Sequence, residues 1–509
     1  MPAVAGLHPP SAELQFVMVE GRALRRKGAI RGQFWYRAVY GPWRLAALYA
    51  IAGLAFALVM TVGWILATRD DAVVWPKLLI LFWTYFWPTV LATLLVAVYD
   101  RKRRLQLVGA YFIVFLMLAA IAVARNPDLG IGSLPFYWVL INGPSTLLLA
   151  SFLVRSIRAV GPLVLAFLIA VAIGSQVVVS AAAANEGLLR AIAEAGFSIG
   201  LNAVGVFSAM ILLGILIFGL LGWPLLRVIG KRYENKKLSD QSIMLDAMWL
   251  LFGVVQSVGL AFEGAAWIMT GFVAFVAYKG VLRVSFQWWA INPDVSDART
   301  LLLLRVFALG KRSERLFDKL RRHWQHVGSI FMIAGPDLVT TTVEPHEFLE
   351  FLSGRLSRQF VTDRSELENR TANLDLAVDP DGRYRINEFF CHADTWQMTV
   401  ERLATTSDAV LMDLRSFSQA NQGCIFELGR LVDGVDLNRV VFLVDADTER
   451  GFLESTMQRL WLGMSADSPN QTNRSPTVRE FKIERQSESE LRALMGLLLT
   501  PPEVANSTA

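Results

Sequence analysis

The residues of this chain best equipped for chemistry lie between Asp413 and Leu428. Asp413-Leu414-Arg415-Ser416-Phe417-Ser418 gathers a carboxylate, a guanidinium and two hydroxyls in six positions, and the next segment carries Cys424 and Glu427. Such a set can hold a polar ligand through charge-assisted hydrogen bonds. Other constellations carry less. His323 and His326 stand three apart on a predicted helix without a third ligand, so surface histidines are expected and not a metal centre. Cys391 and His392 with Asp394 offer a Cys/His pair, and a buried thiol beside a helix-start Asp explains them equally well. Neither G-x-x-x-x-G-K-S/T nor G-x-G-x-x-G occurs. Asn470-Gln471-Thr472 and Asn506-Ser507-Thr508 match the glycosylation pattern by chance if that region is cytosolic.

Placing these residues requires an alternating scaffold, and the chain past Pro293 supplies one. Thr300–Phe307, Ser329–Ala334, Arg385–Phe390, Ala409–Asp413, Arg439–Val444 and Val478–Glu484 are short apolar runs of the kind buried on both faces of a sheet. Between and after them, Ser313–Trp324, Glu344–Leu356, Thr395–Ala404, Gln419–Val432, Thr448–Trp461 and Glu488–Leu499 have helical spacing. Asn369–Gly382 and Ser465–Pro476 are polar connections rich in turn residues. Alternation of this kind predicts a parallel sheet covered on both faces, with ligands outside the carboxyl ends of the strands. Asp413–Ser418 falls at such an end, as do Cys391–Trp396 and Asp445–Asp447.

The segment SDAVLMDLRSFSQANQGCIFELGRLV, Ser407 to Val432, resembles the part of TIR domains where a strand ends in a Ser-containing loop. In that family the loop leads to a helix opening Trp-Cys-x-x-Glu-Leu. Cys424, Glu427 and Leu428 keep the spacing, with Gly423 where the family has Trp. The resemblance implies a TIR/flavodoxin-like fold for residues 295–509. In members that cleave NAD the Glu of this motif is the catalytic carboxylate, which here falls on Glu427. NAD is then a substrate, and no cofactor is implied. Breaking the nicotinamide–ribose bond passes through an oxocarbenium-like state that a carboxylate stabilises, directly or by holding the attacking hydroxyl. Asp413, Arg415 and Ser416 would line the ligand site, Arg415 toward a pyrophosphate, and Trp396 would stack on a ring. The competing expectations are plain ones: Glu427 paired with Arg430 or Arg415 on the helix surface, Trp396 a core aromatic, Arg415 a salt-bridged loop residue.

Ahead of this domain the composition changes. Of the 509 residues 54% are hydrophobic and 18% charged, and long apolar runs fill the chain before about residue 290. A helix needs roughly 20 apolar residues to cross a bilayer. Leu45–Ala67, Leu78–Val98, Leu107–Ala124, Phe136–Val154, Leu163–Ala184 and Ser198–Leu221 qualify, and Ile243–Leu282 reads as a hairpin of two helices broken at Glu263-Gly264. The expected fold is a multi-pass α-helical membrane domain of about eight helices over 43–284, preceded by a basic segment over 1–42 and followed by the α/β domain. Loops bearing Arg101-Lys102-Arg103-Arg104 and Lys231-Arg232 are expected inside, which places both termini in the cytosol of a plasma (inner) membrane. No cleavable signal peptide is expected. Cys391 and Cys424 are read as lone thiols in a reducing compartment.

Gln256 and Asn202 are the best mid-span polar groups and are expected to hydrogen-bond between helices, whereas Asp246 and Glu263 sit near helix ends within reach of water. The net charge of +5 is explained by basic loops facing anionic lipid, so the bilayer is the expected partner and nucleic acid is not. Self-association through the membrane helices or the TIR-like domain is a further expectation. Together these features describe a membrane-anchored signalling or effector protein. The alternatives are a non-catalytic interaction or sensor module and a transporter or channel with a regulatory domain.

Overall fold

A computed structural model describes residues 13–20, 33–68, 75–98, 100–125, 132–151, 185–260, 263–289, 298–305, 311–334, 360–374, 376–472 and 477–499, with isolated positions between 167 and 182. The chain divides into two units. One comprises residues 45–290 with 341–356, the other residues 1–44, 291–340 and 357–509.

The first unit is helical. Its described helices are α1 (Gln33–Thr68, which begins in the other unit), α2 (Trp75–Tyr85), α3 (Trp87–Val96), α4 (Arg101–Arg125), α5 (Ser133–Ser151), α6 (Glu186–Ser198), α7 (Ala203–Glu234), α8 (Asp240–Leu260) and α9 (Thr270–Trp288). Five stretches among the described residues are long and apolar enough to cross a membrane: Tyr36–Thr68, Trp75–Val96, Arg101–Arg125, Ala203–Glu234 and Ala266–Trp288. The expected Leu163–Ala184 span lies mostly outside the described residues. α2 and α3 read as one span broken at Phe86, because Pro88 in the first turn of α3 lacks the N–H that would bond back into α2.

The region 243–282 does break where expected. α8 ends at Leu260, and Gly264 adopts φ +151°, a conformation that only glycine takes without strain. The two arms then approach closely. A methyl group built on Gly271 would collide with the Gly253 carbonyl oxygen and lie 2.6 Å from Ser257 Oγ, which accepts a 2.7 Å hydrogen bond from Gly271 N. Gly271→Ala is therefore expected to separate α8 from α9 at a cost of roughly 1–3 kcal/mol. Gly280→Ala on the same helix meets nothing within 4 Å and should be neutral in the same detergent-unfolding assay. Gln256 bridges helices as anticipated, its Nε2 donating to Ile141 O and Asn142 Oδ1 of α5. Asn202 does not: it caps α7, its Oδ1 accepting from Gly205 N at 2.8 Å.

The second unit is an eight-stranded sheet in which every pair is parallel. Its strands are β1 (Gln15–Glu20), β2 (Leu301–Arg305), β3 (Ile330–Ala334), β4 (Phe360–Val361), β5 (Ile386–Cys391), β6 (Ala409–Asp413), β7 (Val440–Val444) and β8 (Thr477–Lys482), in spatial order β1-β8-β7-β6-β2-β3-β5-β4. The strands are apolar on both sides because both faces are covered. α10 (Lys311–Trp324), α15 (Glu488–Leu499) and the start of α1 bury Leu316, Leu320, Trp324, Leu494 and Ala38 against one face. α11 (Arg364–Ala372), α12 (Trp396–Thr406), α13 (Gln422–Gly434) and α14 (Arg450–Leu462) bury Leu367, Leu403, Leu428, Leu431 and Trp461 against the other.

Two features differ from expectation. The basic segment over 1–42 does not stand apart, since β1 extends the sheet beside β8 with Gln15 opposite Thr477 and Glu20 opposite Lys482. The strand order also departs from the flavodoxin-like arrangement. Numbered along the chain, the six long C-terminal strands lie 3-2-1-4-5-6, the order of doubly wound dinucleotide-binding sheets, and not 2-1-3-4-5. β4, a two-residue edge strand, and α11 were not anticipated. The helix expected at Glu344–Leu356 lies outside the described residues.

Candidate active site

In a sheet of this order the chain leaves the first strand in one direction and later returns to its other side. The crevice between those two strands, β2 and β6, is where ligands bind in such folds. Arg305 and Asp413 are paired neighbours there, each the last residue of its strand. Whatever follows β6 is therefore delivered to the switch point, and that is the run Asp413–Ser418.

The turn after β6 is tightly specified. Leu414 N donates to Leu443 O and Phe417 N to Leu414 O, closing a turn in which Ser416 takes φ +55°. A side chain at positive φ is unfavourable and must be held. Ser416 N donates to Asp445 Oδ1 at 3.0 Å, and the same oxygen accepts from Asp447 N at 3.1 Å. Thr448 Oγ1 accepts from Asp445 N at 3.1 Å and lies 3.0 Å from both Leu414 O and Asp445 Oδ1, while Glu449 N donates to Phe417 O. The loops after β6 and β7 are thus a single hydrogen-bonded piece. Thr448 was not singled out from sequence, although Asp-x-x-Thr just past a strand is a recognisable local capping pattern.

Asp413 and Arg415 form a bidentate ion pair within this piece. Arg415 Nε donates to Asp413 Oδ1 at 2.7 Å and Nη2 to Oδ2 at 2.6 Å, with both side chains almost fully buried. The guanidinium is therefore an internal brace of the loop, the salt-bridged alternative, and its fork is turned onto Asp413.

Glu427 sits one turn into α13 on the face turned to the sheet, together with Cys424, Leu428 and Leu431. Its residue is 3% exposed, and Oε2 has no hydrogen-bond partner in the protein. Neither arginine that could have paired with it does so: Arg415 is on Asp413, and Arg430 reaches Glu401 at 3.1 Å while lying over the Phe426 ring. Burial alone pushes the Glu427 carboxyl up to about 8, so it is mainly protonated at neutral pH. Cys424 lies close enough to both Glu427 and Asp413 that their charges add to burial in pushing its thiol up, which makes it a packing residue and not a nucleophile.

Trp396 packs partly buried on the core and meets Phe426 of α13 edge-on at 5.2 Å. Asp413, Arg415 and Ser416 thus stand together at the end of β6, Glu427 lies on the sheet-facing side of α13, and Trp396 is placed by its contact with Phe426. The remaining constellations dissolve. Cys391 Sγ contacts Thr399 Oγ1 at 3.3 Å, and His392 stacks on Phe360. His323 and His326 are buried, not on the surface. His323 Nδ1 is 2.9 Å from Ala38 O, and burial with nearby Arg383 and His323 pushes the His326 ring down to about 3. Among the described residues no three His, Cys, Asp or Glu side chains are grouped to hold a metal ion.

No protein-family model, no curated protein and no solved structure matches this chain.

Proposed function

We propose that the α/β unit binds a nucleotide across the carboxyl ends of β2 and β6 and that Glu427 is the group that acts on it, as an NAD-cleaving carboxylate in a membrane-anchored signalling or effector protein. The observation that carries the reading is a carboxyl group buried on the sheet-facing side of the helix that follows β6, with its Oε2 unpartnered. Structural carboxyl groups in cores are normally paired or hydrogen-bonded, because an unsatisfied one costs stability. Strained, unsatisfied groups persist mainly where chemistry uses them. A carboxyl poised near 8 can lose its proton when a positively charged ring arrives, and as an anion it stabilises the oxocarbenium-like state left when that ring departs. The resemblance of Ser407–Val432 to TIR domains supports the same residue. The strand order supports a dinucleotide ligand, and the Asp413–Arg415 brace supports a loop preset for it.

Because β1 and the start of α1 belong to the α/β unit, the test uses the full chain in lipid nanodiscs at high surface density. Nicotinamide release from NAD is expected, with a loss of at least about a hundredfold in Glu427→Gln, the range seen when a directly acting acid or base is removed. Binding of NAD by both proteins without release by either would leave a nucleotide-responsive interaction module. Absence of binding would sink the nucleotide reading.

A further inference from the structure

One of the most buried helices of the helical unit carries a line of polar groups. α8 is enclosed on nearly all sides, with Leu245, Met248, Trp249 and Phe252 almost wholly inside. Asp246, Trp249 and Gln256 occupy one face of it, spread over about 15 Å of helix. Lys279 of α9 donates to Asp246 Oδ2 at 2.6 Å, and Oδ1 meets no donor in the protein. The Trp249 indole lies against Tyr278 at 5.2 Å, and neither Trp249 Nε1 nor the Tyr278 hydroxyl has a hydrogen-bond partner. Asn142 of α5 accepts from Gln256, but its Nδ2 is unmatched, as is the hydroxyl of fully buried Ser145 one turn further on. Thr89 of α3 completes the group. Thr61, Thr68, Thr84 and Thr93 return their hydroxyls to the carbonyl four residues back, whereas Thr89 does not, and its Oγ1 shares the contact space of Gly53 with the Trp249 ring.

Inside a bundle of apolar helices a single unmatched polar atom is expensive, and several on facing helices are more so. Their chemistry also identifies the occupant. Trp249 Nε1 and Asn142 Nδ2 can only donate, Asp246 Oδ1 can only accept while ionised, and the three hydroxyls can do either. A metal cation would satisfy the oxygens alone. Water satisfies both kinds and needs only two to four such partners per molecule.

We infer that the polar face of α8, with α3, α5 and α9, encloses a hydrated site inside the membrane unit, occupied by a short file of water that runs to the Asp246–Lys279 ion pair. The unit is then more than an anchor: it holds a half-buried ion pair in contact with internal water, the arrangement through which protons or small polar solutes are handled in membranes.

The test is radiolytic hydroxyl-radical labelling of the full chain in nanodiscs, since the radicals form from water in place and mark adjacent rings. Trp249 and Tyr278 are expected to be oxidised at least about tenfold faster than Trp324, which is equally buried but has its indole N–H bonded to Ser329 O. A second arm needs no buried aromatic: Ser145→Cys should react with a small water-borne thiosulfonate above the wild-type background, while Leu245→Cys should not. Rings as inert as Trp324, or a Ser145→Cys thiol as inert as that of Leu245→Cys, would overturn the proposal.

Discussion

Glu427→Gln should make the α/β unit more stable above pH 8 and remove the part of its pH dependence that Glu427 contributes between pH 5 and pH 8. The folded protein keeps the Glu427 proton up to about pH 8, whereas an unfolded chain releases it near the ordinary value of 4.5. Between those values this carboxyl holds its proton in the folded state and not in the unfolded one, so its contribution to stability falls as pH rises and levels off above about 8, while His326, whose depressed ring contributes in the opposite sense below about 6.5, is common to both proteins. Each unit of separation is worth about 1.4 kcal/mol, so the accumulated loss is on the order of 5 kcal/mol for a group this buried. Glutamine has the same shape and never ionises. The two unfolding midpoints should therefore agree near pH 5, diverge steadily up to about pH 8 and stay apart above it. Parallel curves would mean that the carboxyl is solvated, and the case for a poised acid would go with it.

The second large effect concerns the brace beside it. Asp413→Ala removes the two carboxylate oxygens that accept from Arg415 Nε and Nη2, and breaking a buried pair from one side typically costs about 3–5 kcal/mol. Replacing both partners with apolar residues, as in Asp413→Leu with Arg415→Met, should recover much of that loss, because no charge is left to desolvate. The exposed Arg430–Glu401 pair sets the scale: Glu401→Gln should change stability by less than about 1 kcal/mol. A denaturant titration of the three variants would show whether the loop's rigidity rests on this pair. An Asp413→Ala protein as stable as the Glu401→Gln one would refute that.

Sequence reading located β6, β7 and α15 almost to the residue because uninterrupted apolar runs between turn signals have few other solutions. It could not order the strands, since periodicity reports which faces are buried and not which strand lies next to which. β1 was invisible for a related reason: QFVMVE is six residues of mild alternation in a basic stretch, and its partner β8 lies at the far end of the chain. Around the site, the clustering of polar residues after β6 was legible. The fate of Glu427 was not. A glutamate three positions before an arginine suggests a surface pair, but 427 faces the sheet with 424, 428 and 431, and 430 faces outward. The polar face of α8 was not legible because large aromatic rings such as Trp249 and Tyr278 fit an otherwise apolar span, although each carries one group that needs a partner.

The pairing of β1 with β8 bears on how the molecule is made. β1 leaves the ribosome well before its partner β8, so its backbone groups stay unmatched while the candidate membrane-spanning helices between them are synthesised. Main-chain hydrogen bonds cannot form through a bilayer, so the wait ends only if the bundle returns the chain to the side where it started. Closure of the sheet edge would then act as a built-in check on insertion. A chain that misses one crossing keeps an unpaired β1 and an open β8 edge on opposite sides of the membrane, each a ready target for quality control.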